Sequence, residues 1–238
     1  MINLLTKWEF IKSNEDKYEA TYIGKRVAEL YVDPLTADKL IVSVKRAGAM
    51  SNLRSIALVH AVCNTLEMRP LLNVKTKEYN LILEEANKLE GEMIDLQPSM
   101  FESEYEDWLN ALKTALMLND WMEENDEEYL LEKYDVRPGE LHNKIENADW
   151  LLYSCYEFAR INQLQPLLKE ISKARYRLKY GVKEELLTLL RLDGVGRVRA
   201  RKMFKAGIKD LGDVKKASIE VFNTILGKHV AINVKKQF

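Results

Sequence analysis

Apolar residues recur at intervals of three and four along most of this chain, the spacing of helices that bury one face. Leu40, Ile41 and Val44 follow this pattern, as do Ile56, Val59, Ala61 and Val62. A mainly α fold built around a helical bundle is predicted from Thr36 onward. The start of the chain reads differently. Residues 8–20 (WEFIKSNEDKYEA) hold two short aromatic and β-favouring segments around Asn14-Glu15-Asp16, which predicts a small hairpin. A helix begins at Thr21, with Ile23, Val27, Leu30 and Tyr31 in helical register. It ends at Asp33-Pro34, because the residue before proline avoids the α region. Strand, turn, strand and helix suggest the edge of a winged-helix unit, incomplete because too few residues precede the hairpin.

Farther along, residues 76–94 read as a charged helix and residues 95–103 (DLQPSMFES) as a break. The next helix carries Trp108, Leu112, Ala115 and Leu116, with Trp121 expected on a short connecting turn. Asp126 caps a short helix with acidic residues in its first turn, where the helix dipole favours them; this helix stops near Asp135. Pro138 suits a helix start, and no breaker intervenes before about Arg160, so the longest helix of the bundle is expected here. Leu141, Ile145, Ala148, Leu152 and Cys155 form its core stripe, leaving His142, Lys144, Asn147 and Trp150 largely off it. A tryptophan off the stripe needs another partner, either a neighbouring helix or an unstacked base, because aromatic faces stack nucleobases without sequence preference.

After a helix near residues 163–179 and Gly181, the segment VKEELLTLLRLDGVGRVRARKMFKAGIKDLGDV reads as helix, hairpin, helix. Leu186, Leu187 and Leu190 give the first apolar face, Leu192–Gly196 the hairpin, and Val198, Ala200, Met203 and Phe204 the second helix, closed by Gly207. Gly194 and Gly196 would permit positive φ and let a phosphate approach the N–H groups that open the second helix. Arg197, Arg199, Arg201 and Lys202 add charge there. At about 100° per residue, Arg197 and Arg201 share a face and Arg199 turns away. This is the grammar of helix-hairpin-helix modules, which contact phosphates rather than base edges, although such hairpins also serve as protein contacts. The expected division is a partial winged-helix domain at 1–46, a helical bundle at 47–180 and a helix-hairpin-helix-like unit at 181–238.

Charge sharpens the picture. The net charge of −1 hides an asymmetry: residues 167–238 hold 18 Lys+Arg against 7 Asp+Glu, net +11, leaving −12 for the rest. A basic end on an acidic body is the outline of a polyanion binder. Cys63 and Cys155, 92 positions apart in apolar helical patterns, are expected as buried thiols. His60, His142 and His229 have no ligand spacing, so no metal is implied. No apolar run approaches the roughly 20 residues of a membrane span, and a cytoplasmic location is expected.

The run RLDGVGRVRARKMFKAGI, with VKEELLTLLR before it, resembles the Arg-Ala-Arg region that ends archaeal HELQ-like helicases of the Ski-type branch of superfamily 2. The resemblance continues upstream. TYIGKRVAELYVDPLTADKL is similar to the close of their winged-helix domain, EMRPLL to an early helix connection, and EYEDWLNALKTALMLNDWMEENDEEYLLEKYDVRPGEL to their helical bundle. It implies that the long helix runs beside a translocating single strand as a ratchet, with Trp150, in NADW, stacking on a base. The family's arginine one heptad earlier falls on Asn143, a departure, with Lys144 beside it as a possible source of charge. Arg199-Ala200-Arg201 matches the element that contacts the emerging strand and restrains unwinding.

No GxxxxGK[ST] loop or Asp-Glu-x-His segment is present, so no ATP hydrolysis is expected of this chain. The resemblance places the motor domains, with their ATP and magnesium, before Met1. The leading expectation is therefore an accessory region that grips single-stranded or forked DNA for a 3′ to 5′ helicase at stalled forks, with motor domains in cis or trans and replication or repair proteins as partners. The alternative is a protein-interaction platform. A base-excision glycosylase also places a GxG hairpin before an active helix, with Asp210 or Asp213 as the available aspartates. Only 25 residues follow Asp213 and there are no iron–sulfur cysteines, which disfavours that reading.

Overall fold

The computed structural model describes residues 1–14 and 17–238. Helix α1 (Ile2–Lys7) leads into strands β1 (Ile11–Asn14) and β2 (Lys17–Ala20), paired antiparallel with Ile11 opposite Ala20 and Ser13 opposite Tyr18. The turn residues Glu15 and Asp16 lie outside the described residues. Helix α2 (Tyr22–Leu30) starts where its cap dictates: the Thr21 hydroxyl accepts from the Gly24 N–H at 3.0 Å. Tyr31, predicted within the apolar pattern, instead takes a left-handed conformation after the helix and is exposed. Asp33 caps α3 (Pro34–Gly48), whose proline occupies the first turn.

The bundle continues through α4 (Ser55–Cys63), α5 (Tyr79–Lys88), α6 (Tyr105–Met122), α7 (Glu127–Tyr134), α8 (Pro138–Ile161) and α9 (Gln165–Tyr180). Every residue of α4 from Ile56 to Cys63 is buried, including His60. This exceeds the single stripe expected, because α4 is wrapped by α6, α8 and α9. Cys63 and Cys155 are buried free thiols, pushed up to about 12 by burial.

Two local expectations are corrected. The charged helix of residues 76–94 reduces to a 3₁₀ turn at Thr76–Glu78 followed by α5, which ends at Lys88. Trp121 lies inside α6 rather than on a connecting turn, and its indole N–H donates to the Leu178 carbonyl of α9 at 2.8 Å. The connecting turn comes three residues later, where Glu124 adopts φ 72°.

Beyond Gly181 the chain forms 3₁₀ turns at Glu184–Leu186 and Leu189–Arg191, then α10 (Arg197–Lys205), α11 (Leu211–Lys216), α12 (Ile219–Leu226) and α13 (Lys228–Lys235). The helix expected before the glycine hairpin is thus two 3₁₀ turns. They bury Leu186 and Leu189 with the i, i+3 spacing that a three-residue turn aligns. The apolar core falls into two clusters. One gathers buried residues from Phe10 to Leu178, so Phe10, just before the hairpin, and α2 share the core of the bundle, while strand β2 is exposed along its length. The other runs from Val182 to Val234. No helix among the described residues is long and apolar enough to cross a membrane.

Candidate nucleic-acid interface

Helix α8 provides the scaffold. Its 24 residues contain no glycine or proline after Gly139 and rise about 36 Å at 1.5 Å per residue. Leu141, Ala148, Leu152 and Cys155 are buried as predicted, joined by Leu151, Phe158 and Ala159, whereas Ile145 is only partly covered. The opposite side presents His142, Asn143 and Glu146 to solvent, with Asp149, Trp150, Tyr153 and Tyr156 half-buried beside them.

Trp150 has a fixed protein partner. Its indole N–H donates to the Leu30 carbonyl at 2.9 Å, satisfying one of the acceptors that the end of α2 leaves without a helical donor. The ring plane is therefore held by α2, and the half-buried residue packs in part against the bundle core. Lys144, predicted off the core stripe, is buried: its ammonium donates to the carbonyls of Met68 (3.0 Å) and Pro70. Burial lowers its pKa, opposed by Cys63 and Glu140. Its charge thus closes the turn after α4 and does not project beside Asn143, which is itself exposed. Asn147 donates to the Glu67 carbonyl of the same turn at 3.4 Å.

Around Trp150 a network joins three helices. Arg26 of α2 donates to Glu157 at 2.9 Å and to the Tyr153 hydroxyl at 3.2 Å; Arg160 donates to Glu157 at 2.8 Å. Burial would raise the Glu157 carboxyl, but hydrogen bonds and charge from Arg160 and Arg26 outweigh it and hold the pKa below the usual range. Arg175 of α9 forks onto Asp149 at 2.9 and 3.1 Å and lies 4.9 Å from the Tyr153 ring centre. Sequence reasoning missed Tyr153, Arg175, Tyr176 and Lys179. For the last three the signal was in ARYRLKY, where Arg175 and Lys179, Tyr176 and Lys179, and Tyr176 and Tyr180 are three or four residues apart and so neighbours on the helix surface.

In the glycine hairpin, Gly194 takes φ +78°, as predicted, but Gly196 has φ −95° and ψ −175°, an extended N-cap geometry open to any residue. A side-chain carbon at either position would meet nothing within 4 Å, so the hairpin backbone is open to an approaching ligand. Arg197 and Arg201 share a face of α10, and that face turns toward the bundle. Arg197 lies 4.6 Å from the Trp121 ring centre and donates to the Asn125 carbonyl at 2.8 Å; burial lowers its pKa. Arg201 donates from Nε to Glu124 at 2.7 Å, from a second nitrogen to the same carboxylate, and from the third to Glu185 at 2.7 Å. The Glu124 carboxylate pushes the Arg201 pKa up, against the opposing effect of burial.

Arg199 turns away and is exposed, donating to the Gly194 carbonyl at 2.6 Å, and Lys202 is exposed as well. The predicted arginine cluster thus divides. Arg197 and Arg201 hold α10 against the bundle, while Arg199 and Lys202 face outward with Gly194 and Gly196. Asp210 and Asp213 serve as helix-end acceptors: Asp210 accepts from the Asp213 N–H at 2.8 Å and Asp213 from the Lys209 N–H at 2.9 Å. Among the described residues no group of three or more His, Cys, Asp or Glu could hold a metal ion.

Residues 56–181 match the family model described as archaeal helicase, domain 4. Three curated relatives are each named ATP-dependent DNA helicase Hel308. The protein of Caldivirga maquilingensis is 34% identical, with 95% of this chain and 31% of the relative covered. That of Methanococcus vannielii is 33% identical, covering 93% and 29%. That of Methanocaldococcus jannaschii is 38% identical, covering 93% and 17%. The chain therefore spans less than a third of the length of each of these relatives. With just over half of its residues matched by the domain 4 model, and with that domain's segment forming the bundle around α8, this chain belongs to the archaeal helicase family.

Proposed function

We propose that this chain is the single-stranded-DNA-gripping accessory region of an ATP-dependent 3′ to 5′ DNA helicase, cytoplasmic and engaged in repair and at stalled forks. The observation that carries the reading is Trp150: a half-buried indole on the longest helix, packed in part against the bundle core, its orientation fixed by the Leu30 carbonyl. A ring held in place before a base arrives loses little freedom on stacking. Asn143 lies two turns earlier on the same helix. Gly194, Gly196, Arg199 and Lys202 supply a phosphate contact at the C-terminal unit, whereas Lys144, Arg197 and Arg201 act by positioning. ATP, which the name of the relatives mentions, would act with magnesium at motor domains in cis or trans.

The test is fluorescence anisotropy of a labelled single strand at two salt concentrations, beside duplex and RNA of equal length. Single-stranded DNA should bind best, and Trp150→Ala should weaken it by about 1–3 kcal/mol, the range for loss of one base stack. If wild type and Trp150→Ala bind alike, the ratchet role is refuted.

A second reading, a protein-interaction platform, draws on the segment between α5 and α6. There Leu96 (78% exposed), Met100 and Phe101 (91% exposed) stand out from the surface. Replacing Leu96 and Phe101 with serine should leave DNA binding unchanged; loss of a replication or repair partner in the same variant would favour this reading.

A further inference from the structure

Beyond Trp150, the outer side of α9 carries a furrow that the ratchet reading does not use. It begins in a hollow of about 400 Å³ between Trp121, His142 and Lys179. Asp149 and Lys179 also line the next hollow, of about 320 Å³, with Tyr156 and Tyr176. Tyr176 and Ser172 in turn line a third hollow of about 710 Å³, which reaches Lys169, Tyr180 and Arg191 at the junction with the C-terminal unit. Shared walls make the three hollows one track. From Lys169 to Tyr180 it follows α9 for about 17 Å at the α-helical rise.

Besides the carboxylates Glu127, Glu146 and Asp149 at its first hollow, the lining of this track has two chemical parts. Tyr176 is 56% exposed on a helix whose other large apolar residues face the core, so burial does not account for it. Its neighbours are cations of two kinds. Arg175 and Lys173 are neutralised, by Asp149 and by Glu170 and Glu184 respectively. Lys169, Lys179 and Arg191 are exposed and, among the described residues, have no carboxylate within ion-pair distance. Lys179 leans over the Tyr180 ring at 5.6 Å. One exposed aromatic ring, Tyr176, set among unpaired cations along a groove matches a strand that offers a base to the ring and phosphates to the cations.

We propose that this α9 furrow is a second binding track for single-stranded DNA, in which a base stacks on Tyr176 and phosphates lie on Lys169, Lys179 and Arg191. The inference rests on the single-strand reading given above and extends the path from α8 toward the C-terminal unit. A strand long enough to reach both surfaces contacts Trp150 and Tyr176 together; a short one needs only Trp150.

The experiment titrates the whole chain with labelled oligothymidylate of two lengths, roughly 6 and roughly 20 nucleotides, within the range of known single-strand site sizes. It compares wild type, Trp150→Ala, Tyr176→Ala and the triple variant Lys169→Gln/Lys179→Gln/Arg191→Gln. All four furrow positions are exposed, and circular dichroism should show unchanged helicity. Tyr176→Ala should weaken the longer strand about tenfold and leave the shorter one within twofold. The triple variant should reduce the slope of log K against log salt for the longer strand by about 2, from roughly 0.7 per phosphate contact on a single strand. If wild type binds the longer strand and both furrow variants bind it equally well with the same slope, the furrow is not a DNA track and this inference is overturned while the Trp150 reading stands. If wild type binds neither strand, the underlying reading fails first.

Discussion

Replacing Glu124 with glutamine tests whether the C-terminal unit is held to the bundle by charge. Glu124 sits just past the end of α6 with φ 72°, and its two oxygens receive two Arg201 donors and the Lys183 N–H at 3.1 Å. Burial would raise its pKa, but the Arg201 hydrogen bonds and charge hold it below the usual carboxylate range. The side chains are 22% and 15% exposed for Arg201 and Glu124 respectively, so solvent replaces lost contacts only in part. A hydrogen bond to a charged group contributes about 1.5–3 kcal/mol, but Arg201 retains Glu185, and the amide of the Glu124→Gln variant would keep one acceptor oxygen. The expected loss is about 2 kcal/mol, or roughly thirtyfold in local opening. Because residues beyond Val182 have their own core, the loss should appear there first. Amide hydrogen exchange followed by mass spectrometry should show roughly thirtyfold faster exchange in the 182–205 region, with α4 unchanged. A double-mutant cycle with Arg201→Gln should give a coupling of about 1–2 kcal/mol. Coupling under about 0.5 kcal/mol, as for an exposed pair, would refute the clamp. So would exchange that rises equally in α4.

Three further outcomes follow from the same geometry. His60 is fully buried, its Nδ1 has no partner among the described residues, and burial lowers it to about 4 against an ordinary 6.5. Because the unfolded chain binds the proton more tightly, stability present above about pH 6.5 is lost as pH falls toward 4; denaturant titrations should show about 2 kcal/mol less stability at about pH 5 than at about pH 7, a loss absent in His60→Leu. Gly181 has φ +61°, and a side-chain carbon there would lie 2.5 Å from the Trp121 ring, so Gly181→Ala should cost about 2–4 kcal/mol in chemical denaturation. A cost below about 1 kcal/mol would show that Trp121 yields. Arg199→Ala/Lys202→Ala should reduce the salt slope of single-strand binding by about 1.4 without lowering the melting temperature, whereas Arg201→Ala should lower the melting temperature; the reverse pattern would contradict the division of roles on α10.

Much of this protein could be read in one dimension. The bundle, the long helix from Pro138, the helix start at Thr21, the cap at Asp126, and the glycine hairpin before α10 all depend on residues within a few positions of one another. Local rules of periodicity, capping and dihedral freedom therefore suffice. The facing of Arg197 and Arg201 on one side of α10, and of Arg199 on another, also follows from the helical period alone. What those faces meet does not. Lys144 is buried because the turn at Met68–Pro70, some 75 residues away, presents carbonyls to it. Trp150 is oriented by a carbonyl 120 residues away, and Arg201 is claimed by a carboxylate 77 residues away. A side chain's charge or ring is visible in the sequence, but whether it is spent inside the molecule or offered to a ligand depends on which distant backbone groups and counter-charges packing brings beside it. That choice is made only by the tertiary structure.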